Sequence, residues 1–332
     1  MSHLPVLLTE VVRALAIQKD DVIVDGTFGA GGYTRAILEV KKCHVIGLDR
    51  DPSVAGFAQA VAEKFPQNFS FYETKFSKMD EVLNGRKVDG VVLDIGVSSM
   101  QLDQGERGFS FMRNGPLDMR MSGVGVNAKD AIKYLAHNEL IRIFKVYGEE
   151  KRARRCADFI VRAREKSLIE TTEELANIVS AALGRTGRIH PATRVFQALR
   201  IFINDELGEL YRALLAAEKI LKPGGRFAVV SFHSMEDRIV KNFFRVRSGY
   251  MSGRSRHLPP QQVSASLPSF SQKKRSGISV SKEELAVNLR ARSARLRVAE
   301  RTSAPIWPKA CETDIDILPG VLSLTELERR AA

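Results

Sequence analysis

Residues 22–51 carry the densest group of positions able to do chemistry. They read VIVDGTFGAGGYTRAILEVKKCHVIGLDRD. An apolar run ends in Asp25 and enters a turn holding Gly26, Gly29, Gly31 and Gly32. A helical segment follows, and a second apolar run, 45–48, ends in Asp49. Glycines let a backbone approach a ligand closely, and the N-terminus of the next helix offers unpaired N–H groups. An acid closing the second strand stands where a ribose diol would donate. The pattern suits a bound nucleoside. Glycine-rich strand-to-helix turns also occur without ligands, and Asp49 is what favours the nucleoside. The spacing argues against a dinucleotide: its pyrophosphate needs G-x-G-x-x-G, and counted from Gly29 the third glycine position is Thr34.

Other candidates follow the same logic. Phe76 comes just after a short strand at 69–73, on the edge that lines the crevice of a doubly wound sheet. It is a candidate to lie against an adenine ring, or else an ordinary core aromatic. Residues 88–96, VDGVVLDIG, are the strongest buried-strand signal. That strand ends at Asp94 and leads into Val97-Ser98-Ser99-Met100-Gln101-Leu102-Asp103, which brings hydroxyls and a carboxylate to the crevice. Residues 107–121, RGFSFMRNGPLDMRM, mix aromatic and basic side chains in an expected ordered loop. Phe109, Phe111 and Arg113 could stack and clamp an unstacked base, or the loop could pack on its own apolar residues. His233 closes a strand at 226–232, again on the crevice edge.

These positions need an α/β frame to hold them. Residues 6–16 have helical spacing and are expected to cap the sheet edge. Asp51-Pro52 opens a helix expected to reach about residue 64. From 127 to 183 the strand signal vanishes. Helices are expected at 127–147, 149–166 and 175–183, the last opened by a Thr171–Glu174 capping box and stopped by Gly184. An all-helical block between strands implies an insertion. The expected organisation is a discontinuous sheet domain, 1–103 with 189–332, interrupted by an inserted helical domain, 104–188. A long helix is expected from 190 to about 221, a mobile loop at 248–281, and an edge strand within the basic segment 289–298.

The chain has 332 residues, 44% of them hydrophobic, and a net charge of +12. Residues 240–301 hold 14 Lys and Arg against 3 Asp and Glu, so one region carries nearly the whole excess. That favours a polyanionic partner over a merely solvated tail. The three cysteines are scattered, with no paired Cys/His spacing, so neither a disulfide frame nor a metal site is expected. The start, MSHLPVLLTEVV, lacks a basic n-region, and no apolar run approaches a membrane span. A cytoplasmic setting is expected.

The stretch D-G-T-F-G-A-G-G at 25–32 resembles the first motif of S-adenosylmethionine (SAM)-dependent methyltransferases. Further segments extend the likeness: HLPVLLTE (3–10), GLDRD (47–51), DIGVSSMQLD (94–103), residues 107–121, YGEEKR (147–152), HPATRVFQALRIFINDEL (190–207), SFHSMEDRIVK (231–241) and 288–301. Together they resemble the RsmH (MraW) family of 16S ribosomal RNA cytosine-N4 methyltransferases, across nearly the whole chain. The resemblance implies a Rossmann-like class I SAM-dependent methyltransferase sheet with an inserted all-helical domain, 104–188, for substrate recognition. It implies SAM as cofactor and, as substrate, one cytosine amino group of 16S rRNA near the ribosomal P site, met within the small ribosomal subunit, with no DNA or membrane partner. Carried over by position, Gly31, Gly32 and Tyr33 would hold SAM on the turn and Asp49 its ribose. Phe76 and Asp94 would meet the adenine end, and Gln101 a position near the methionine. Three positions depart from the family pattern: Tyr33 for His, Asn114 for Asp and Leu289 for Pro.

A cytosine amino nitrogen is a weak nucleophile, because its lone pair is delocalised. The enzyme must aim it at the methyl group and accept its protons, with the base out of its stack. Asp103, Asp118 and His233 are the catalytic candidates for contacting it, assisted by Ser98 and Ser99. Phe109 and Phe111 would stack the base; Arg113, Arg290, Arg292 and Arg295 would meet RNA phosphates. Two rivals stand beside this reading: a non-catalytic RNA-binding ribosome assembly factor and a nicotinamide-dependent dehydrogenase, the latter opposed by the missing glycine.

Overall fold

The computed structural model describes residues 5–184, 190–249, 267–307 and 324–332. The chain forms two compact units, Met1–Gly96 with Glu209–Ile315, and Val97–Gly208 with Asp316–Ala332.

The first unit is a sheet of eight strands: β1 (Val22–Asp25), β2 (His44–Asp49), β3 (Phe69–Glu73), β4 (Val88–Asp94), β5 (Leu221–Ser231), β6 (Phe270–Ser271), β7 (Ile278–Ser279) and β8 (Arg295–Arg301). The order is β3-β2-β1-β4-β5-β8-β6, with β7 also on β8. The first five strands run parallel, and β8 lies antiparallel to β5, pairing Ser231 with Arg295. The order reverses between β1 and β4, whose carboxyl ends are Asp25 and Asp94. That reversal is the switch point where doubly wound sheets bind ligands. The sheet carries helices α1 (Leu8–Leu15), α2 (Gly32–Val40), α3 (Ala55–Lys64), α4 (Met79–Leu83), α11 (Glu206–Ile220), α12 (Ser234–Arg247) and α13 (Lys282–Val287).

Helix α1 packs on the face of the sheet, not its edge as the sequence had led us to expect. Gly90 in β4 makes the room: a Cβ there would meet Leu15 Cδ2 at 3.2 Å and Ile23 Cδ1 at 2.8 Å. The basic segment forms β8 as an inner strand, covered by β6 and β7, and not an edge. Residues 250–266, within the expected loop, lie outside the described residues.

The second unit is helical: α5 (Ser99–Asp103), α6 (Ala128–Tyr134), α7 (His137–Val146), α8 (Ala153–Arg164), α9 (Thr172–Leu183), α10 (Ala192–Ile203) and α14 (Leu324–Ala331). The Thr171 capping box forms as read: Glu174 N–H donates to Thr171 Oγ1 at 3.2 Å, and Thr171 N–H to Glu174 Oε2 at 3.0 Å. The expected helix 190–221 is two helices, because Asp205 takes a left-handed turn with φ 48°. Helix α10 belongs to the helical unit. It buries Val195, Phe196, Leu199 and Phe202 in the core of that unit, and Asn204 accepts from Met121 N–H at 2.9 Å while donating to Met119 C=O at 2.7 Å. The division therefore falls at 96/97 and 208/209, against 103/104 and 188/189 in the sequence reading. Helix α14, which no sequence pattern announced, buries Leu327 completely. Among the described residues no helix is long and apolar enough to cross a membrane.

Candidate active site

The glycine turn is built by close approach. A Cβ on Gly26 would stand 2.4 Å from Leu93 Cδ2 and 3.2 Å from Phe76 Cβ, so only glycine lets the turn leave β1 between them. Gly31 has φ 75° and forms the N-cap of α2, a conformation that side chains rarely adopt. Gly29, at φ 52°, faces open space: its Cβ would meet nothing nearer than Thr27 O at 3.9 Å. Phe28 N–H, on the same turn, donates to Leu48 C=O at 2.9 Å, which ties the turn to β2.

Three carboxyls stand at the ends of β1, β2 and β4. Asp25 is fully buried; Thr34 Oγ1 donates to it at 2.7 Å and Thr27 N–H at 3.3 Å. Burial pushes its pKa up to about 6 despite these bonds. Asp49 accepts from Gly29 N–H at 2.8 Å and Asp51 N–H at 2.9 Å, and burial raises its pKa as well. Asp94 N–H donates to Thr27 Oγ1 at 2.6 Å, so Thr27 joins the ends of β1 and β4. The Asp94 carboxyl is pushed well above the usual range by burial, then by the charges of Asp25 and Glu236. Its Oδ1 is a buried oxygen with no hydrogen-bond partner. A ligand bringing donors and positive charge is what this cluster lacks. The sulfonium, ribose diol and amino groups of SAM supply both, so the residues fit that cofactor.

Phe76 begins the turn after β3 and lies against Gly26, within the same unit as the three acids. Tyr33 is anchored by its hydroxyl, which donates to Val6 C=O in the N-terminal segment, and the residue is 3% exposed. Burial raises its pKa well above the ordinary value. The charges of Asp94 and Asp25 add to that rise, so the Tyr33 phenol lies within electrostatic reach of the carboxyl cluster. The same segment roofs the start of α2, since a Cβ on Gly32 would stand 2.2 Å from Pro5 Cγ.

His233 is the N-cap of α12. Its Nδ1 accepts from Glu236 N–H at 3.4 Å, and Glu236 Oε2 accepts Phe232 N–H at 2.8 Å and His233 N–H at 3.2 Å. With Nδ1 accepting, the neutral ring carries its proton on Nε2. That atom lies 2.9 Å from Glu236 Oε1 but off hydrogen-bond alignment.

In the helical unit, Ser98 and Gln101 cap α5 reciprocally: Ser98 Oγ accepts Gln101 N–H at 3.2 Å, and Gln101 Oε1 accepts Ser98 N–H at 3.0 Å. The side chains of Ser99 and Leu289 lie outside the described residues. Asp103 ends α5 exposed, and its carbonyl accepts from Arg113 Nη1 at 2.6 Å. Two candidates need correction. Asp118 is gripped by Arg120, Nε to Oδ1 at 2.9 Å and Nη2 to Oδ2 at 2.6 Å, so both its oxygens already serve as acceptors. Phe109 is 5% exposed within the helical core, so its ring is not offered to a base. Phe111 is half-buried, stacked on His190 at 4.5 Å and edge-on to Phe196. Asn114 still accepts from Glu173 N–H at 3.3 Å, as an Asp there would.

The basic block divides into two kinds of residue. Arg290 and Arg292 are exposed, whereas Arg295 donates to Ser276 C=O at 2.7 Å. Arg247, Arg297 and Arg301 are buried and structural. Arg247 meets Glu218 at 3.0 Å, Arg297 meets Asp237 at 2.7 Å, and Arg301 donates to the carbonyls of Ser269 and Ala304. Sequence could not have separated them, since a charge count carries no burial.

The sheet order, the glycine turn at its switch point and the acids closing β1, β2 and β4 define a class I SAM-dependent methyltransferase. The family model described as MraW methylase family matches residues 1–302, and the chain belongs to that family. It is 53% identical over 96% of its length to a ribosomal RNA small subunit methyltransferase H of Maricaulis maris, covering 96% of that protein. It is 51% identical over 98% of its length to one of Brucella canis, covering 95% of it. Among solved structures, an rRNA methylase of Streptococcus thermophilus matches with a TM-score of 0.40 at 10% identity, covering 91% of this chain and 99% of that one, too distant to bear on function.

Proposed function

We propose that this protein transfers a methyl group from SAM to ribosomal RNA of the small subunit, at the N4 amino group of one cytosine of 16S rRNA near the P site. The observation that carries the cofactor half is the carboxyl cluster at the switch point, above all the buried, unpartnered Oδ1 of Asp94. The substrate half is supported by the names of the relatives and by the exposed arginines of the basic block.

SAM supplies an electrophilic methyl on a positively charged sulfur. The chain binds and orients. The turn at Gly29 and Gly31 admits the ligand, Asp49 accepts from the ribose, and Phe76 and Asp94 hold the adenine end. Gln101 is proposed near the methionine, beyond its capping role. His233, protonated on Nε2, would donate to an acceptor of the base and so aim its amino group; taking the amino proton is not its task in that tautomer. Asp103 is the remaining candidate acceptor. Phe111 is the candidate stacking ring, and Arg113 with Arg290, Arg292 and Arg295 the candidate phosphate contacts. Most of the rate enhancement would come from positioning.

Methyl transfer from labelled SAM to small-subunit particles, followed by identification of the modified base, tests the reading. Label in N4-methylcytosine at a single position supports it, and binding without transfer would favour the assembly-factor alternative.

A further inference from the structure

The helical unit holds a cleft that none of the residues above touches. It has a volume of about 290 Å³ and lies between α6, the end of α8 and the turn before α9, lined by Lys129, Ile132, Lys133, Arg164, Leu168 and Ile169, with Glu165 at its rim. We infer that this cleft is a second RNA subsite, taking one unpaired nucleotide of the substrate with its base on the aliphatic floor and its phosphates on the lysines. The inference rests on the rRNA reading above and extends it.

The floor is firm and apolar. Ile132 is 1% exposed and Ile169 5%, whereas Leu168 is 55% exposed and forms a wall offered to solvent. An apolar surface beside cations suits a flat base carrying phosphates better than it suits a bare anion. Lys133 is exposed and has its ammonium 4.6 Å from the centre of the Tyr134 ring, which orients it without neutralising it. Lys129 is half-buried and 3.4 Å from Glu170, a loose pair. Arg164 fixes the wall: its Nη1 donates to the Ile132 and Leu135 carbonyls, at 2.5 Å and 2.7 Å, and so closes the end of α6. Three cations, Lys129, Lys133 and Arg164, thus line the cleft with the carboxylate of Glu165, and Glu170 adds a second carboxylate beside Lys129. The volume falls just below the roughly 300–1,000 Å³ of small-ligand sites, which limits the occupant to a single nucleotide. Single strands are bound along grooves that pair cations with a surface for the bases, and here that surface is aliphatic.

The test is the double variant K129Q/K133Q. Arg164 is left alone because it holds α6. Unchanged thermal unfolding and unchanged SAM affinity establish that the variant is folded. Titration with a labelled single-stranded small-subunit rRNA oligonucleotide should show weaker binding and a log K against log salt slope shallower by about 1.4, at about 0.7 per phosphate contact. KM for RNA should rise with kcat unchanged, and the lysine-to-arginine pair should recover both. An unaltered slope and KM in the double variant, alongside wild-type methyl transfer, overturns the subsite and leaves the function standing. Loss of affinity for an acidic peptide of equal charge to the same extent as for RNA would also overturn it, since the cleft would then read charge alone. Wild-type protein that methylates no ribosomal RNA sinks the function itself, a result separate from either.

Discussion

At the residue scale the informative atoms are the carboxyl oxygens of Asp25 and Asp94. The raised pKa of Asp25, about 6 against the ordinary 3.8, means that the folded chain holds its proton more tightly than the unfolded one. The linked stability is therefore full below the unfolded value and is lost as pH rises through the folded one. The change is on the order of 3 kcal/mol between pH 4 and pH 7 at 1.36 kcal/mol per unit. Urea unfolding of the ligand-free protein should show this fall, and Asp25→Asn should flatten it; equal pH slopes for the two would exclude Asp25 as the source. Asp94 has a parallel consequence. A positively charged sulfonium favours the ionised cluster and a neutral thioether does not. Calorimetry should therefore find SAM binding tightening as pH rises and the cluster ionises, while S-adenosylhomocysteine binding changes less. Asp94→Asn should remove most of that difference.

His233 belongs to this scale as well. His233→Asn keeps a side-chain cap for α12 but loses the Nε2 donor. Single-turnover methyl transfer should slow by at least tenfold, within the range of one positioned hydrogen bond in a water-poor site, with SAM affinity unchanged. An undiminished single-turnover rate would assign His233 to structure alone.

At the scale of elements, much was legible because local rules and tertiary packing agree. The glycine turn, the acids closing β1, β2 and β4, the Asp51-Pro52 helix start and the Thr171 capping box were all read from spacing, and all form. Where local pattern is silent, the reading failed. Nothing in FINDEL announces that Asp205 will take φ 48° and break one helix into two, because the break is held by Asn204 reaching across to Met119 and Met121. Nor does the 107–121 stretch reveal that Phe109 faces inward, or that Asp118 has Arg120 as its partner. Asn204→Ala removes buried bonds to two backbone groups and should destabilise the helical unit by about 1–3 kcal/mol. Hydrogen exchange should show the amides of α10 and of 119–121 opening together; unchanged protection there would place the hinge elsewhere.

At the scale of the whole molecule, a net charge of +12 had pointed to a polyanion, but charge and function are not coextensive. Arg247, Arg297 and Arg301 are buried against acids and carbonyls. Neutralising any of them should lower stability with little direct effect on the salt dependence of RNA binding. Arg290→Gln with Arg292→Gln should do the reverse, weakening RNA binding and flattening its salt slope while unfolding stays put. The contrast separates the part of the basic block that builds the sheet from the part proposed to meet the substrate.

The central claim is that the pocket at the switch point holds SAM so that its methyl group passes to ribosomal RNA. Incubating the wild-type protein with methyl-labelled SAM and small-subunit particles, digesting the RNA to nucleosides and locating the label tests it most directly. The account predicts label in N4-methylcytosine from one site of 16S rRNA, abolished when Asp94 and Asp49 are replaced together. Particles left unlabelled, or label in another base at an undiminished rate in that double variant, would contradict it.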